Sequence, residues 1–251
     1  MRGGWKTAWI TGASTGIGRA LALRLAAAGV RVAVSARSSE TLAELAALHA
    51  NIMPFTVDVT RLDDVLATHG KIMSAFGSID LAVLNAGVWD PMGASNYDAA
   101  RSIKTMSVNY GGIANALQPL IQTMVARGEG HIALVASVAG YRGLPRAIAY
   151  APSKAAVISL AEVLRLDLAR KNIVVSLINP GFVATPMTAV NTFPMPYLMT
   201  VEAATDRIVS GLEAGKFEIA FPWQLVLSLK AMRILPYALF FRVVNRFIID
   251  R

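Results

Sequence analysis

The sequence contains no cysteine. A disulfide framework and a thiolate metal site are therefore both excluded, no metal centre is expected, and the composition fits a reducing compartment. Charge is scarce as well: 16% of the 251 residues are charged, against 55% hydrophobic. No Pro/Gly/Ser-rich linker, charge block or internal repeat interrupts the chain, so one sizeable domain is expected. The formal charge of +8 invites a nucleic-acid reading. No run of clustered basic residues interleaved with aromatics supports it, and nucleic acid is not expected as a partner. The stretch Met1 to Lys6 leads almost at once into an apolar segment. It leaves no room for a signal peptide, and a cytoplasmic location is expected.

What the chain does have is alternation. Apolar segments of strand length are predicted at 7–10, 30–35, 52–57, 81–84, 132–136, 173–178 and 217–220. Helical patterns fall between them at 19–28, 40–49, 63–76, about 96–127 and 150–170. Strands alternating with helices imply parallel βαβ units, hence a doubly wound α/β sheet of Rossmann type with helices on both faces. Ligands in such sheets bind beyond the carboxyl ends of the strands. Gly12, Asp58, Asn85, Ser137 and the pair Pro180-Gly181 all sit just past a predicted strand.

Two motifs carry chemistry. Thr11-Gly12-Ala13-Ser14-Thr15-Gly16-Ile17-Gly18 lies between the first strand and the first helix. Glycine there allows a tight turn and lets a pyrophosphate approach the amides at a helix start. Read alone, it is also compatible with a plain strand-to-helix turn. The second motif is Tyr150-x-x-x-Lys154, with Ser137 thirteen residues upstream of the tyrosine. Residues four apart share one helical face. A cation beside a phenol lowers its pKa from about 10 and makes it a usable proton donor or acceptor.

Together these residues resemble the short-chain dehydrogenase/reductase family over roughly residues 6–220. The resemblance rests on Thr-Gly-x-x-x-Gly-Ile-Gly at 11–18, Asp58-Val59, Asn85-Ala86-Gly87, Asn109, Ser137, Tyr150 with Lys154, and Pro180-Gly181 followed by Thr185. It implies a seven-stranded parallel sheet and hydride transfer between a nicotinamide cofactor and a carbonyl or alcohol. Tyr150 is then the proton donor or acceptor, and Lys154 binds the nicotinamide ribose and depresses the Tyr150 pKa. Ser137 polarises the substrate oxygen, and Asn109 holds a water that links Lys154 to solvent. The cofactor would be held by Gly12, Ser14, Thr15, Gly16, Ile17, Gly18, Asp58, Val59, Asn85, Ala86, Gly87, Tyr150, Lys154, Pro180, Gly181, Val183 and Thr185. For Asn85 a structural role weighs slightly more than a binding one. By analogy with the family, a homodimer or homotetramer is expected.

Cofactor choice is read after the second strand, in Ser35-Ala36-Arg37-Ser38. An acid at the strand end would accept from the adenosine ribose and repel a 2′-phosphate. Ala36 occupies that place. Arg37 follows, with hydroxyls on both sides at Ser35 and Ser38, so NADP(H) is expected rather than NAD(H). The region 185–214 is expected to be a substrate lid. Residues 185–200 contain no Lys or Arg and are rich in Met, Phe, Tyr and Leu, which favours a small hydrophobic ketone, aldehyde or secondary alcohol. Arg142 and Arg146 could still bind an anionic group from the other side. A catalytic domain of residues 1–220 is then followed by a helical extension at 221–251. Residues 216–251 hold six Lys/Arg against two Asp/Glu. Arg242, Asn245, Arg246 and Asp250 share one helical face, while Phe240, Phe241, Val244, Phe247 and Ile248 lie largely elsewhere. The uncharged stretches are too short for a span of about 20 residues. Basic helices with Trp and Phe can lie on a membrane surface; packing over the pocket or on a partner subunit is the alternative. The runner-up from another class is a nucleotide-binding regulatory or scaffold protein without turnover.

Overall fold

The computed structural model describes residues 4–246. Met1–Gly3 and, in the extension, Phe247–Arg251 (with Phe247, Ile248 and Asp250 of the expected helical faces) lie outside the described residues. The seven strands are β1 (Thr7–Thr11), β2 (Arg31–Ala36), β3 (Ile52–Thr56), β4 (Leu81–Leu84), β5 (Gly130–Val135), β6 (Ile173–Pro180) and β7 (Glu218–Phe221). All pair in parallel, in the order β3-β2-β1-β4-β5-β6-β7. Every residue of β1 and β4 is buried. A central parallel strand covered on both faces requires this, and it explains their near-continuous apolar sequences.

Helices α1 (Gly16–Ala27) and α2 (Ser39–Ala47) cover one face; α3 (Leu62–Phe76), α5 (Gly112–Arg127) and α6 (Tyr150–Leu168) cover the other. On the first face Leu21, Leu25, Leu42 and Leu45 pack on Ile10, Val32 and Val83. On the second, Ile72, Leu120, Val157 and Leu164 pack on Trp9, Ala82 and Ile132. Truncating one such fully buried leucine to alanine typically costs about 2–5 kcal/mol.

Two parts of the helical reading change, and the extension is helical as expected. The predicted long helix at 96–127 is α4 (Ala99–Met106), a widened π turn over Ser107–Gly111, then α5. Gly112 starts α5 directly after this turn, and a Cβ on it would lie 2.6 Å from Val59 Cγ2, so glycine is needed for the helix to pack this close to the segment after β3. Within 185–214, residues Val201–Glu213 form a further helix, α7. Thr200 caps it by accepting the Ala203 N–H, and Ala204, Ile208 and Leu212 bury themselves on the α1 side of the sheet. Spacing of four residues sets that apolar stripe, so irregular structure is confined to the segment before Val201. The extension forms α8 (Trp223–Ile234) and α9 (Tyr237–Val244). Leu229 joins the main core, and Phe240 and Val244 are buried.

Candidate active site

Strand order reverses at β1, whose neighbours are β2 and β4. The crevice at the carboxyl ends of these strands is where such sheets take ligands. The turn after β1 is built there by close packing. Gly12 has φ +66, and a Cβ on it would lie 2.6 Å from the Ala86 Cα. A Cβ on Gly18 would lie 2.6 Å from Asn85 Nδ2. The Asn85 amide donates to the carbonyls of Thr11 (3.1 Å) and Gly12 (2.9 Å). The Thr11 hydroxyl accepts the N–H groups of Asn85 and Ala86. Asn85 thus ties the glycine turn to the 85–87 segment. Helix α1 starts at Gly16 with no side-chain cap and no acidic residue in its first turn, so its leading N–H groups and the positive end of its dipole are available to an anion.

From this turn a cavity of about 760 Å³ runs to the far side of β5, where Ser137, Tyr150 and Lys154 line it. They meet because of Gly140. Ser137 opens a single 3-10 turn, Val138–Gly140. A Cβ on Gly140 would lie 2.8 Å from the Lys154 carbonyl carbon and 2.9 Å from the Ala155 nitrogen. Only a glycine lets the turn rest on the α6 backbone, which brings Ser137 onto the tyrosine's face of the helix. The Ser137 hydroxyl donates to the Pro180 carbonyl at 3.3 Å and accepts the Ala139 N–H at 3.2 Å. Lys154 is buried and donates to the Val135 carbonyl at 2.9 Å. Asn109 sits in the π turn, which points its amide at the 88 segment: its Oδ1 accepts the Val88 N–H at 2.7 Å, and its Nδ2 donates to the Val88 carbonyl and to Ser153 Oγ.

Burial pushes the Tyr150 phenol up to about 12, opposed by the Ser137 hydroxyl beside it. Burial also pulls Lys154 down to about 8. The Lys154 ammonium is turned to the Val135 carbonyl, and desolvation of the phenolate is the largest influence on Tyr150.

At the opposite end the cavity is lined by Arg37, Ser38, Asp58 and Val59. Arg37 is exposed and forms no ion pair among the described residues. The Asp58 carboxyl is held below its usual range, chiefly by the Thr60 N–H and hydroxyl. Ser35 does not serve this end. It is fully buried and accepts the indole N–H of Trp9 at 3.0 Å. Ser38 lines the cavity but also caps α2, accepting the Thr41 N–H.

The sequence model of the short chain dehydrogenases matches residues 6–193. The chain belongs to the short-chain dehydrogenase/reductase family. It is 38% identical over 240 residues to an uncharacterized oxidoreductase of Myxococcus xanthus, covering 94% of this chain and 95% of that one. It is 34% identical over 226 residues to a 3-oxoacyl acyl-carrier-protein reductase of Thermotoga maritima, with 86% of each chain covered. Among solved structures, a family member from Burkholderia phymatum in complex with NAD is similar, with a TM-score of 0.84 at 25% identity over 92% of this chain and 93% of that one. This family member is accordingly an oxidoreductase with a nicotinamide-cofactor fold.

The cavity of this short-chain dehydrogenase gathers Arg37 and every catalytic or cofactor residue that the family resemblance implies except Gly18 and Asn109, which pack behind its wall. Arg142 and Arg146 do not line it. Arg142 donates to the carbonyls of Arg233 (3.0 Å) and Leu235 (3.3 Å) at the end of α8. Its guanidinium lies 4.6 Å from the Tyr237 ring centre and 4.4 Å from that of Phe240. Arg146 is exposed on a turn with φ 62, where its neighbours pair with Met92. Lys104, Ser107 and Val108 from the α4 side also line the cavity, as do Val88, Met187 and Thr188. No local motif marks them; they arrive through the packing of α4 and of the 184–198 segment.

Proposed function

We propose that this chain is an NADP(H)-dependent oxidoreductase acting on a small hydrophobic ketone, aldehyde or secondary alcohol. One observation carries the reading: Ser137, Tyr150 and Lys154 share the wall of a single cavity whose other end holds the open start of α1 and Arg37. A nicotinamide dinucleotide fits this donor set: the α1 amides would hold its pyrophosphate, and Arg37 and Asp58 would hold its adenosine end. When bound, the nicotinamide supplies or accepts the hydride. The protein supplies the proton and the polarisation. Tyr150, protonated across the physiological range, gives its proton to the carbonyl oxygen in reduction, while Ser137 hydrogen-bonds the same oxygen as charge develops on it. Lys154 would hold the ribose and steady the electrostatics around the phenol, and Asn109 steadies the Val88 backbone.

The NADP(H) preference rests on Arg37 and the absence of an acid at Ala36. An exposed guanidinium at the cavity rim can grip a 2′-phosphate through two parallel hydrogen bonds. The substrate class rests on the apolar 184–198 segment, and a carbonyl agrees with the name of the Thermotoga maritima relative. A screen of carbonyl compounds followed by NADPH absorbance tests the whole reading. Tyr150→Phe is expected to lower kcat by about 10²–10⁴-fold. Arg37→Asp is expected to weaken NADPH by at least about tenfold and spare NADH. Equal affinity of the parent protein for both cofactors defeats the NADP assignment. Turnover unchanged by Tyr150→Phe defeats the mechanism, and cofactor binding with no turnover of any carbonyl leaves the regulatory or scaffold reading.

Residues 1–220 are read as the catalytic domain and 221–251 as its extension. Exposed Val163 and Leu166 on α6 support pairing into a homodimer or homotetramer, checked by light scattering. The extension supports peripheral contact with an anionic membrane. Trp223, Leu227, Ile234, Tyr237 and Phe241 are all exposed, and residues 222–246 carry four cations and no acid. Among the described residues no helix is long and apolar enough to cross a membrane. Liposome co-sedimentation of the full chain against a variant with Trp223, Tyr237 and Phe241 changed to serine tests the contact. Equal sedimentation on anionic vesicles removes it.

A further inference from the structure

We propose that Trp89 and Asn191 form a latch that holds the 184–198 segment against the tyrosine side of the active site, and that the latch sets how tightly substrate is held rather than how fast it reacts. The substrate part of this inference rests on the proposed oxidoreductase reading; the latch itself does not.

The segment is irregular, but its base is closed. Val183 and Met199 form an isolated parallel bridge, with the Ala184 N–H donating to the Met199 carbonyl and the Met199 N–H to the Phe182 carbonyl, both at 2.9 Å. Beyond that base the tip needs its own anchor. Asn191, Phe193 and Met195 are half-buried, whereas Thr192, Pro194 and Pro196 between them are exposed. The alternation turns one edge of the segment inward. Phe193 meets Phe182 with ring centres 6.1 Å apart. Asn191 places Nδ2 3.2 Å from Met195 Sδ and accepts the Trp89 indole N–H through Oδ1 at 2.8 Å. That is the hydrogen bond that crosses from the segment to the sheet side at its tip.

Trp89 is suited to be the fixed half. Both backbone groups of its neighbour Val88 are held by Asn109, at 2.7 and 3.0 Å. Its indole stands edge-on to Tyr150, with ring centres 4.9 Å apart and planes at 78°. An indole has one donor and no acceptor, so its bond to Asn191 is its entire hydrogen-bonding capacity. The moving half is the segment, kept stiff by Pro194 and Pro196. Releasing Asn191 frees the tip while the base stays bridged and Tyr150, Ser137 and Lys154 stay where they are. Loss of the latch therefore weakens substrate retention and leaves the proton donor intact.

Hydrogen exchange of peptides covering 184–198 in the full-length protein tests the latch without any turnover. Trp89→Phe keeps an aromatic ring but removes the indole N–H, Asn191→Ala removes the acceptor, and Asn191→Asp keeps one. Trp89→Phe and Asn191→Ala are each expected to speed exchange by about fivefold, as for loss of one hydrogen bond. The double variant is expected to match either single one, and Asn191→Asp to stay near the parent rate. With a ketone substrate and saturating NADPH, Asn191→Ala, which does not touch Tyr150, should raise KM by about the same factor and leave kcat within about twofold. Unchanged exchange, or additive effects in the double variant, overturns the latch. A fall in kcat at constant KM overturns its role in substrate retention. If no carbonyl is turned over at all, the functional reading fails while exchange still decides the latch.

Discussion

The Nζ of Lys154 lies 5.7 Å from the centre of the Tyr150 ring and donates at 2.9 Å to the Val135 carbonyl at the end of β5. The lysine's charge is therefore shared with the sheet rather than given wholly to the phenol, and its own proton is held loosely.

A pH dependence follows directly. Burial lowers Lys154 to about 8, so the group is cationic below that pH and neutral above it. The quantity kcat/KM for the cofactor reports groups of the free enzyme, and it should be level below pH 7 and fall as pH rises past about 8. Lys154→Arg, whose charge persists, should remove that fall. A parent profile that stays level to about pH 10 would show that the ammonium is not required in this step.

Gly140→Ala tests how Ser137 is placed. The added methyl meets the α6 backbone at Lys154 and Ala155, which cannot give way as a flexible side chain does. A loss of about 1–3 kcal/mol in stability is expected, with a fall in kcat larger than in Ser137→Ala because Ser137 and Tyr150 are then both misplaced. Wild-type kcat in a folded Gly140→Ala protein would contradict this account of the site.

His131 predicts acid sensitivity. It is buried, with a ring nitrogen 2.9 Å from Ser176 Oγ, and burial lowers its pKa from 6.5 to about 4. The folded state binds this proton later than the unfolded state, so stability is intact above about pH 6.5 and is lost as pH falls towards 4. The contribution is about 3 kcal/mol. His69 is shifted the same way by burial. Urea midpoints at pH 7 and pH 4.5 should differ less in His131→Gln than in the parent; an identical difference would acquit His131.

Arg142→Lys should loosen the extension without touching the cavity. The guanidinium fork satisfies two carbonyls at the end of α8 and lies against two aromatic rings, which one ammonium cannot reproduce. Faster limited proteolysis within 222–246 is expected, at a cost of about 1–3 kcal/mol. Equal cleavage rates would mean that Leu229, Phe240 and Val244 hold the extension by themselves.

Much of this molecule is written locally. The apolar runs at 7–10 and 81–84 read as buried strands, and the glycines at 12, 16 and 18 read as a tight turn at a helix start. Tyr150 and Lys154 share a helical face by spacing alone. These features depend on dihedral limits and periodicity, which a chain carries wherever it is read. Other features were decided by contacts between residues far apart in the chain. Ser35 has the same hydroxyl as Ser38, and only the approach of Trp9 commits it to the core. Arg142 looks like a ligand for an anion until α8 ends beside it. Val201–Glu213 carries a helical stripe, yet only α1 and the sheet beneath it separate that stripe from the irregular segment preceding it. The phenol's proton affinity belongs to this second group as well, because desolvation is a property of the surrounding volume, and no spacing of Tyr and Lys along a helix encodes it.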